Sequence, residues 1–183
     1  MKRNKEDIKN KISFKSKIGI ITIKADESGI KELLLSDILN KHVPEYETAL
    51  YEADCDMMQV QSSGTVSFLL NEAKKQVLEY LAAKRKKFDL KLAPEGTEFQ
   101  KKVWKALTLI PYGSTKSYAD IALMIEKPGA YRAVGMANNK NPISIIIPCH
   151  RVIGKDGSLV GYGWGIELKE KLLEFEKNGT WNL

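Results

Sequence analysis

Cysteine and histidine are scarce in this chain of 183 residues, which has two of each. The cysteines, Cys55 and Cys149, lie far apart in the sequence. Two cysteines and two histidines are too few and too scattered to form a zinc site or a disulfide framework. We therefore expect no metal and a reducing, cytoplasmic compartment. No apolar run approaches the ~18 residues of a membrane helix, and the charged start lacks the apolar core of a signal peptide, so we expect neither membrane insertion nor secretion.

Charge of both signs is plentiful but unevenly distributed along the chain, whose net charge is +6. The segment Lys101–Lys155 contains nine Lys or Arg residues against two acids, whereas Glu45–Asp56 contains five acids and no base. A concentrated basic segment is typical of a surface that binds an anionic partner such as nucleic acid. A solvated, lysine-rich surface gives the same pattern, and charge alone leaves both interpretations open.

The first half of the chain predicts a small α/β domain. The β-branched stretch Ile18–Ile23, a turn, and the apolar stretch Ile30–Leu35 predict a β-hairpin. Apolar residues at helical spacing predict an amphipathic helix over Phe68–Leu81 that uses Phe68, Leu69, Ala73, Val77 and Leu81. Leu90–Pro94 reads as an extended linker because Pro94 keeps its predecessor out of helical geometry. We place the domain boundary there, with one domain over 1–93 and a second over 94–183.

The second half predicts three helices. Apolar stripes run from Phe99 to Ile110 and from Tyr118 to Ile125, and Ser117 followed by Asp120 is typical of a capping box. A Pro-Gly pair separates the second stripe from a third helix over Tyr131 to about Asn139. Two short helices joined by a tight turn indicate a helix-turn-helix.

The third helix and the segment after it complete this prediction. Its inward face is small (Ala133, Val134 and Ala137), and its other face (Arg132, Gly135, Met136 and Asn139) has little apolar bulk and can press against a partner. Val152–Ile153 and Ser158–Val160 flank a turn-rich tetrapeptide, which predicts the β wing of a winged helix.

The candidate catalytic residues lie in the stretch Ile147–Val152. There an apolar run ends at a proline and is followed by Cys149, His150 and Arg151. A nearby imidazole and cation lower the pKa of a thiol, and the thiolate is the nucleophile. Glu176 shares the apolar helix face of Leu168, Leu172 and Leu173, and a carboxylate on a core face needs a partner. It is either the partner of His150 in a nucleophile triad or a helix-end residue that meets water.

These motifs together resemble the O6-alkylguanine-DNA alkyltransferase family. The resemblance rests on Ile147-Pro148-Cys149-His150-Arg151-Val152, on Tyr131-Arg132-Ala133-Val134-Gly135 with Asn141-Pro142, and on Gly161-Tyr162-Gly163-Trp164-Gly165, and it runs from about Thr97 to Glu176. It implies an α/β (α+β) fold, with a ribonuclease-H-like N-terminal domain and a mainly helical winged-helix domain. It also implies direct reversal of DNA alkylation by a single-turnover cysteine methyltransferase. The presence of Cys149 separates the chain from alkyltransferase-like proteins that carry another residue there.

By this resemblance, five residues carry the chemistry. Cys149 attacks the alkyl carbon of a flipped guanine, and repair of O4-alkylthymine follows the same route. His150 acts through a water as the base for Cys149 and is oriented by Glu176. Asn141 braces the turn before the active site. Tyr118 helps to rotate the base and donates a proton toward its ring nitrogen.

The resemblance further implies how DNA and the base are held. Arg132 is the finger that enters the base stack, and the DNA-contacting set is Arg132, Tyr118, Ala133, Gly135 and Arg151. The guanine pocket is lined by Val152, Tyr162, Gly163 and Trp164. The partner is double-stranded DNA with alkylated bases, bound in the minor groove by a monomer, and neither a cofactor nor a metal is required. Cys55 matches no family motif.

Two other classes compete with this interpretation. A non-catalytic winged-helix sensor of alkylated bases needs no Cys149, whereas this chain keeps the full Cys-His-Glu set. A cysteine hydrolase uses the same three residues, but the sequence offers no recognisable groove for a peptide. The hydrolase interpretation would also leave the third helix without a function.

Overall fold

The computed structural model describes residues 10–36 and 64–181. The chain divides into two units, Met1–Pro94 and Glu95–Leu183. The acidic segment 45–56 and Cys55 lie outside the described residues. In the part that the structure describes, no helix combines the length and the apolar character needed to cross a membrane.

The first unit contains a three-stranded antiparallel sheet in the order β1 (Lys11–Ser16), β2 (Gly19–Asp26) and β3 (Gly29–Ser36). The predicted hairpin is confirmed as β2 and β3. The sequence interpretation missed β1, because its alternation of polar and apolar residues lies in a charged segment. That alternation places one face of the sheet in the core, where Ile12, Phe14, Ile21, Ile23, Ala25, Ile30 and Leu33 are buried.

Helix α1 (Thr65–Leu81) contacts all three strands and confirms the predicted helix. Its core face is set by Val66, Leu70, Ala73 and Val77, which follow one another at helical spacing. The predicted inward position of Phe68 is wrong, because this ring lies on the opposite side of the helix and is 73% exposed.

The predicted linker Leu90–Pro94 is extended but is tied to the first unit. The backbone N–H of Ile30 donates to the Lys91 carbonyl (2.8 Å), and the N–H of Ala93 donates to the Ile30 carbonyl (2.8 Å). Gly29 allows this close approach, because a Cβ there would lie 2.5 Å from the Lys91 oxygen and its φ is +143°. The segment is therefore an addition to the edge of the sheet and not a free connection.

The second unit begins with three mutually contacting helices, α2 (Glu98–Leu107), α3 (Tyr118–Met124) and α4 (Tyr131–Asn139). Capping boxes start α2 and α3, and the one at Ser117 confirms the prediction. Trp104 of α2 donates its indole N–H to the carbonyl of Ala137 in α4 (2.8 Å). This bond fixes the last turn of α4 against the core of the unit.

The remaining elements surround the predicted active-site segment. Strands β4 (Lys116–Ser117) and β5 (Val152–Ile153) pair in parallel, a short 3-10 helix covers Cys149–Arg151, and α5 (Ile166–Asn178) closes the unit. The expected second strand of a β wing is absent, because residues 158–160 have no strand structure in the described chain. Gly154 bonds back to the Ser158 carbonyl (2.8 Å) across a turn, and β5 pairs with β4 instead.

Candidate active site

Cys149 begins the 3-10 helix, at the end of a loop that is held by the Asn141 side chain. The Asn141 amide donates to the Ile147 carbonyl (2.7 Å) and accepts from the N–H of Ile143 (3.0 Å). Within this loop Ile145 has φ +72°, which is unusual for a β-branched residue. A strained backbone conformation persists only where the surrounding structure holds it in place, and this one lies four residues before the nucleophile.

The thiol of Cys149 is 3% exposed. Its Sγ lies 3.7 Å from the Ser144 hydroxyl, and its backbone carbonyl accepts from the side-chain amide of buried Asn138 (3.3 Å). Burial raises the pKa of the Cys149 thiol, and hydrogen bonds with Asn141 and Ser144 only partly offset this effect. The expectation of a thiol pKa lowered by the neighbouring imidazole and cation is therefore wrong, because desolvation dominates.

His150 and Glu176 form a fully buried pair, with Nε2 of the imidazole 2.9 Å from Oε1 of the carboxylate. Burial alone would raise the pKa of Glu176, but hydrogen bonds and charges from His150 and Arg151 hold it well below its usual range. Burial lowers the pKa of His150, and Glu176 offsets this only in part. An ionised carboxylate only accepts, so Nε2 carries the proton, and Nδ1 of the neutral ring is an acceptor that no described residue bonds. The ring can thus take a proton at Nδ1.

Arg151 does not lie on the surface where a DNA contact was expected. Its guanidinium donates to both carboxylate oxygens of Glu176 (2.9 and 2.8 Å) and to the Ile110 carbonyl (2.7 Å), and the residue is 5% exposed. The N–H of Gly113 completes the set of donors to Glu176 (3.0 Å). The proposed DNA contact of Arg151 is corrected to a buried ion pair, because an ionised carboxylate inside the fold requires a cation.

Sequence reasoning overlooked Lys169, which is fully buried in α5. Its ammonium donates to the carbonyls of Val152 (2.6 Å) and Val160 (2.9 Å), and burial lowers the pKa of Lys169 to about 8. Tyr118 donates its hydroxyl to the same Val160 carbonyl (2.9 Å). Lys169 lies seven residues before Glu176 and therefore on the same helix face, a signal that could have identified it.

The glycine-rich segment brings one aromatic side chain into the site. Tyr162 is 9% exposed, and burial, followed by the charges of Cys149 and Glu176, raises the pKa of its phenol well above the usual value. Trp164 is half-buried and meets Tyr162 edge to face, with ring centroids 5.9 Å apart. Gly163 is exposed and Val152 is fully buried, so of the predicted pocket-lining side chains Val152 and Tyr162 lie inside the unit.

Helix α4 presents its exposed face as the sequence predicts. Arg132 is exposed with its guanidinium 5.9 Å from the centroid of the Tyr131 ring, and Met136 is 64% exposed. Gly135 is half-buried, and a Cβ there would lie 3.7 Å from the ring of Tyr118. At this distance a Cβ would make an ordinary van der Waals contact, so the packing of α3 against α4 does not require a glycine here.

The basic character of the segment Lys101–Lys155 is a surface property. Arg151 is the one buried basic residue of the segment, and its other eight lysines and arginines are exposed. Across the described residues, no three His, Cys, Asp or Glu side chains come together as a possible metal site.

Comparison with known proteins identifies similarity over nearly the whole chain. The family model "6-O-methylguanine DNA methyltransferase, DNA binding domain" matches residues 98–178. A methylated-DNA--protein-cysteine methyltransferase from Methanosarcina mazei is 46% identical over 90% of this chain and 95% of its own length. A relative of the same name from Methanosarcina barkeri is 64% identical over 58% of this chain and 68% of its own length. The crystal structure of Mycobacterium tuberculosis OGT in complex with DNA matches with TM-score 0.74 and 39% identity over 93% of this chain and 94% of that one.

Proposed function

The chain belongs to the methylated-DNA--protein-cysteine methyltransferase family, and on that premise we propose that it repairs DNA by transferring the alkyl group of O6-alkylguanine to its own Cys149. The observation that carries the assignment to this residue is the buried His150–Glu176 hydrogen bond of 2.9 Å directly beside the cysteine. It leaves an imidazole nitrogen ready to accept a proton on the residue that directly follows the cysteine in the chain.

Activation of the thiol follows from the protonation states in the resting site. Burial keeps Cys149 protonated, and His150 is neutral with Nδ1 as acceptor. We propose that the thiol proton moves to Nδ1, through a bridging water as the family resemblance implies. The resulting imidazolium is stabilised by the carboxylate of Glu176, which orients the ring without being protonated itself.

The transfer step forms one bond and breaks one bond. The thiolate attacks the alkyl carbon, a carbon–sulfur bond forms, and the bond between that carbon and the guanine O6 breaks with its electron pair left on the base. Tyr118 supplies a proton to a ring nitrogen, and burial, followed by the charge of Cys149, raises the pKa of this phenol and keeps it protonated. Its hydroxyl must first leave the Val160 carbonyl. We propose no cofactor, because the step needs only a thiolate and a protonated leaving group.

DNA binding is assigned to α4 and the basic surface around it. Arg132 is exposed at the start of α4 and is the proposed finger that fills the stack when the base is flipped. Ala133 and Gly135 are small enough for the helix to enter a minor groove, where little sequence information is available. Sequence-tolerant binding of this kind suits a protein that searches for lesions.

The finer description of the molecule is part of the same proposal. We propose a ribonuclease-H-like domain over 1–93 and a mainly helical DNA-binding domain over 94–183 whose helix-turn-helix is α3 and α4. The three-stranded sheet with α1 supports the first assignment, and the packing of α3 against α4 supports the second. We further propose a monomer that acts in the cytoplasm and repairs O4-alkylthymine as well as O6-alkylguanine.

The experiment is intact-mass measurement after mixing the protein with a duplex that contains one O6-methylguanine. We expect one methyl group per chain, located on Cys149 by peptide mapping, because a thioether has no bond that water readily cleaves. Cys149→Ser should abolish transfer and keep DNA binding, since a hydroxyl is a much poorer nucleophile near neutral pH. Cys55→Ser is the matched control and should transfer normally. Turnover beyond one equivalent, or methyl found on Cys55, contradicts the proposal and favours a hydrolase.

A further inference from the structure

The apolar run Ile143–Ile147, which precedes the nucleophile, contains one polar residue, Ser144. All its isoleucines are buried, and Ser144 itself is 7% exposed. Within the described residues, the Ser144 hydroxyl has one hydrogen-bond partner, the sulfur of Cys149 at 3.7 Å. Alanine would pack in this run without the cost of burying a hydroxyl. The hydroxyl therefore calls for a function, which the sequence interpretation did not give it.

The backbone of the loop holds Ser144 close to the cysteine that follows five residues later. Ser144 and Ile147 form an isolated parallel β-bridge, and the N–H of Ile147 donates to the Ile143 carbonyl (2.9 Å). The Asn141 amide holds the Ile147 carbonyl (2.7 Å). Backbone contacts on both sides of Ser144 thus fix its Cα, and a serine has a single side-chain torsion left to place its hydroxyl.

The direction of the bond between this hydroxyl and the sulfur depends on the state of the thiol. While Cys149 is protonated, either atom can be the donor. A thiolate has no proton, so the Ser144 hydroxyl must then donate and the sulfur must accept. A hydrogen bond to an ionised group is also stronger than one between neutral groups. The hydroxyl therefore favours the thiolate over the thiol, and the proposed reaction requires the thiolate.

The elements packed around the thiol also contribute titratable and charged side chains. They are His150 with the Arg151–Glu176 ion pair behind it, Tyr118 of α3, Tyr162 of the glycine-rich segment and Lys169 of α5. The charged side chains of α2 are exposed. The charge of Lys169 favours the thiolate, but burial lowers the pKa of this ammonium to about 8, so its charge is lost as the pH rises. A serine hydroxyl does not titrate in this range, so its contribution is the same at every pH.

We infer that Ser144 is a catalytic residue whose hydroxyl donates a hydrogen bond to the sulfur of Cys149 once the thiol proton has moved to His150; this inference rests on the proposed function. The bond stabilises the attacking thiolate in a site where burial opposes its charge. One hydrogen bond to a charged group favours the thiolate about tenfold. The stabilised thiolate is also a weaker nucleophile, and this offsets about half of the gain on a logarithmic scale. The net gain in rate is therefore about threefold.

The test is Ser144→Ala in the full chain. Methyl transfer to Cys149 from a duplex with one O6-methylguanine is measured with protein in excess, from pH 6 to pH 9. We expect the variant to react about threefold more slowly at pH 7, and the deficit to shrink as the pH rises and the thiolate forms without the hydroxyl. The ultraviolet absorbance of the thiolate gives a second measurement, taken as the difference from the matching protein with Cys149→Ser. Its midpoint should move to higher pH in Ser144→Ala.

Three further variants separate the hydroxyl from the shape of the side chain. Ser144→Thr keeps the hydroxyl and should keep the thiolate midpoint, whereas Ser144→Val has the shape of threonine without the hydroxyl and should behave as Ser144→Ala. This pair replaces Ser144→Ala if that variant does not fold, as judged by circular dichroism and thermal melting. Ser16→Ala makes the same change at a serine of β1 that is 9% exposed, and should keep the rate of transfer.

The outcomes that overturn the inference are distinct from those that overturn the proposed function. An unchanged thiolate midpoint in Ser144→Ala, or a rate deficit of the same size at every pH, shows that Ser144 only packs in the loop. Equal midpoints for Ser144→Thr and Ser144→Val lead to the same conclusion. The absence of methyl on Cys149 in the unchanged protein would instead overturn the proposed function.

Discussion

Replacing Glu176 by Gln tests whether the buried charge network holds the second unit together. The carboxylate accepts from His150, from two nitrogens of Arg151 and from the N–H of Gly113. Glutamine has the same size, but its amide nitrogen would face these donors, and the buried Arg151 cation would lose its counter-ion. Breaking a buried pair on one side costs about 3–5 kcal/mol. At ordinary m-values this lowers the urea midpoint by about 2 M.

The assay is urea unfolding followed by tryptophan fluorescence, which reports the second unit because all three tryptophans of the chain lie in it. Glu174→Gln is the matched control, since that carboxylate is exposed on the same helix. The double change Arg151→Met with Glu176→Gln should recover part of the loss, because no unpaired charge is then buried. Equal midpoints for Glu176→Gln and Glu174→Gln would refute the reasoning.

The pH dependence of the same variant has a definite sign. The pKa of Glu176 is held well below its usual range in the folded chain, so its ionised form stabilises the fold fully above the unfolded value of about 4.3. That stabilisation is lost as the pH falls through and below this value. The difference in unfolding free energy between the unchanged protein and Glu176→Gln should therefore shrink from pH 7 to pH 3. A difference that stays constant or grows contradicts the assignment. Methyl transfer at neutral pH should be slowed but not abolished.

Other consequences concern DNA and the base pocket. Arg132→Ala should slow methyl transfer from duplex DNA far more than transfer from the free modified base. Only in the duplex does the flipped base leave a gap in the base stack that the Arg132 side chain fills. Equal losses in the two rates contradict this role of Arg132. If the exposed Lys and Arg side chains of Lys101–Lys155 contact phosphates, a plot of log binding constant against log salt concentration should have a slope steeper than about −3. The binding constant is measured by fluorescence titration, and a flat plot would mean that these side chains are only solvated. Trp164→Ala should raise the O6-benzylguanine rate relative to the methyl rate, because the indole beside Tyr162 then no longer narrows the pocket; an unchanged ratio means that the ring packs elsewhere.

Local patterns in the sequence were sufficient for most of the secondary structure. Hydrophobic spacing located α1, α2 and α3, and the Ser117–Asp120 pair located the start of α3, because capping and helix faces depend on residues three or four positions apart. The sequence interpretation missed strand β1 and wrongly predicted a β wing, because both depend on which strands pair with each other. Pairing partners such as Lys116 and Val152 are distant in sequence, so no local sequence pattern indicates that they pair.

The sequence by itself determined which residues could carry the chemistry, because the thiol, the imidazole and the carboxylate appear in recognisable motifs and on a recognisable helix face. Only the tertiary structure decided what surrounds them. It buried Arg151 against Glu176, 25 positions away, and placed Lys169 and Asn138 in the site. It also reversed the expected direction of the Cys149 pKa shift. The physical reason is that desolvation depends on every atom packed around a group, and those atoms come from segments that only the fold brings together.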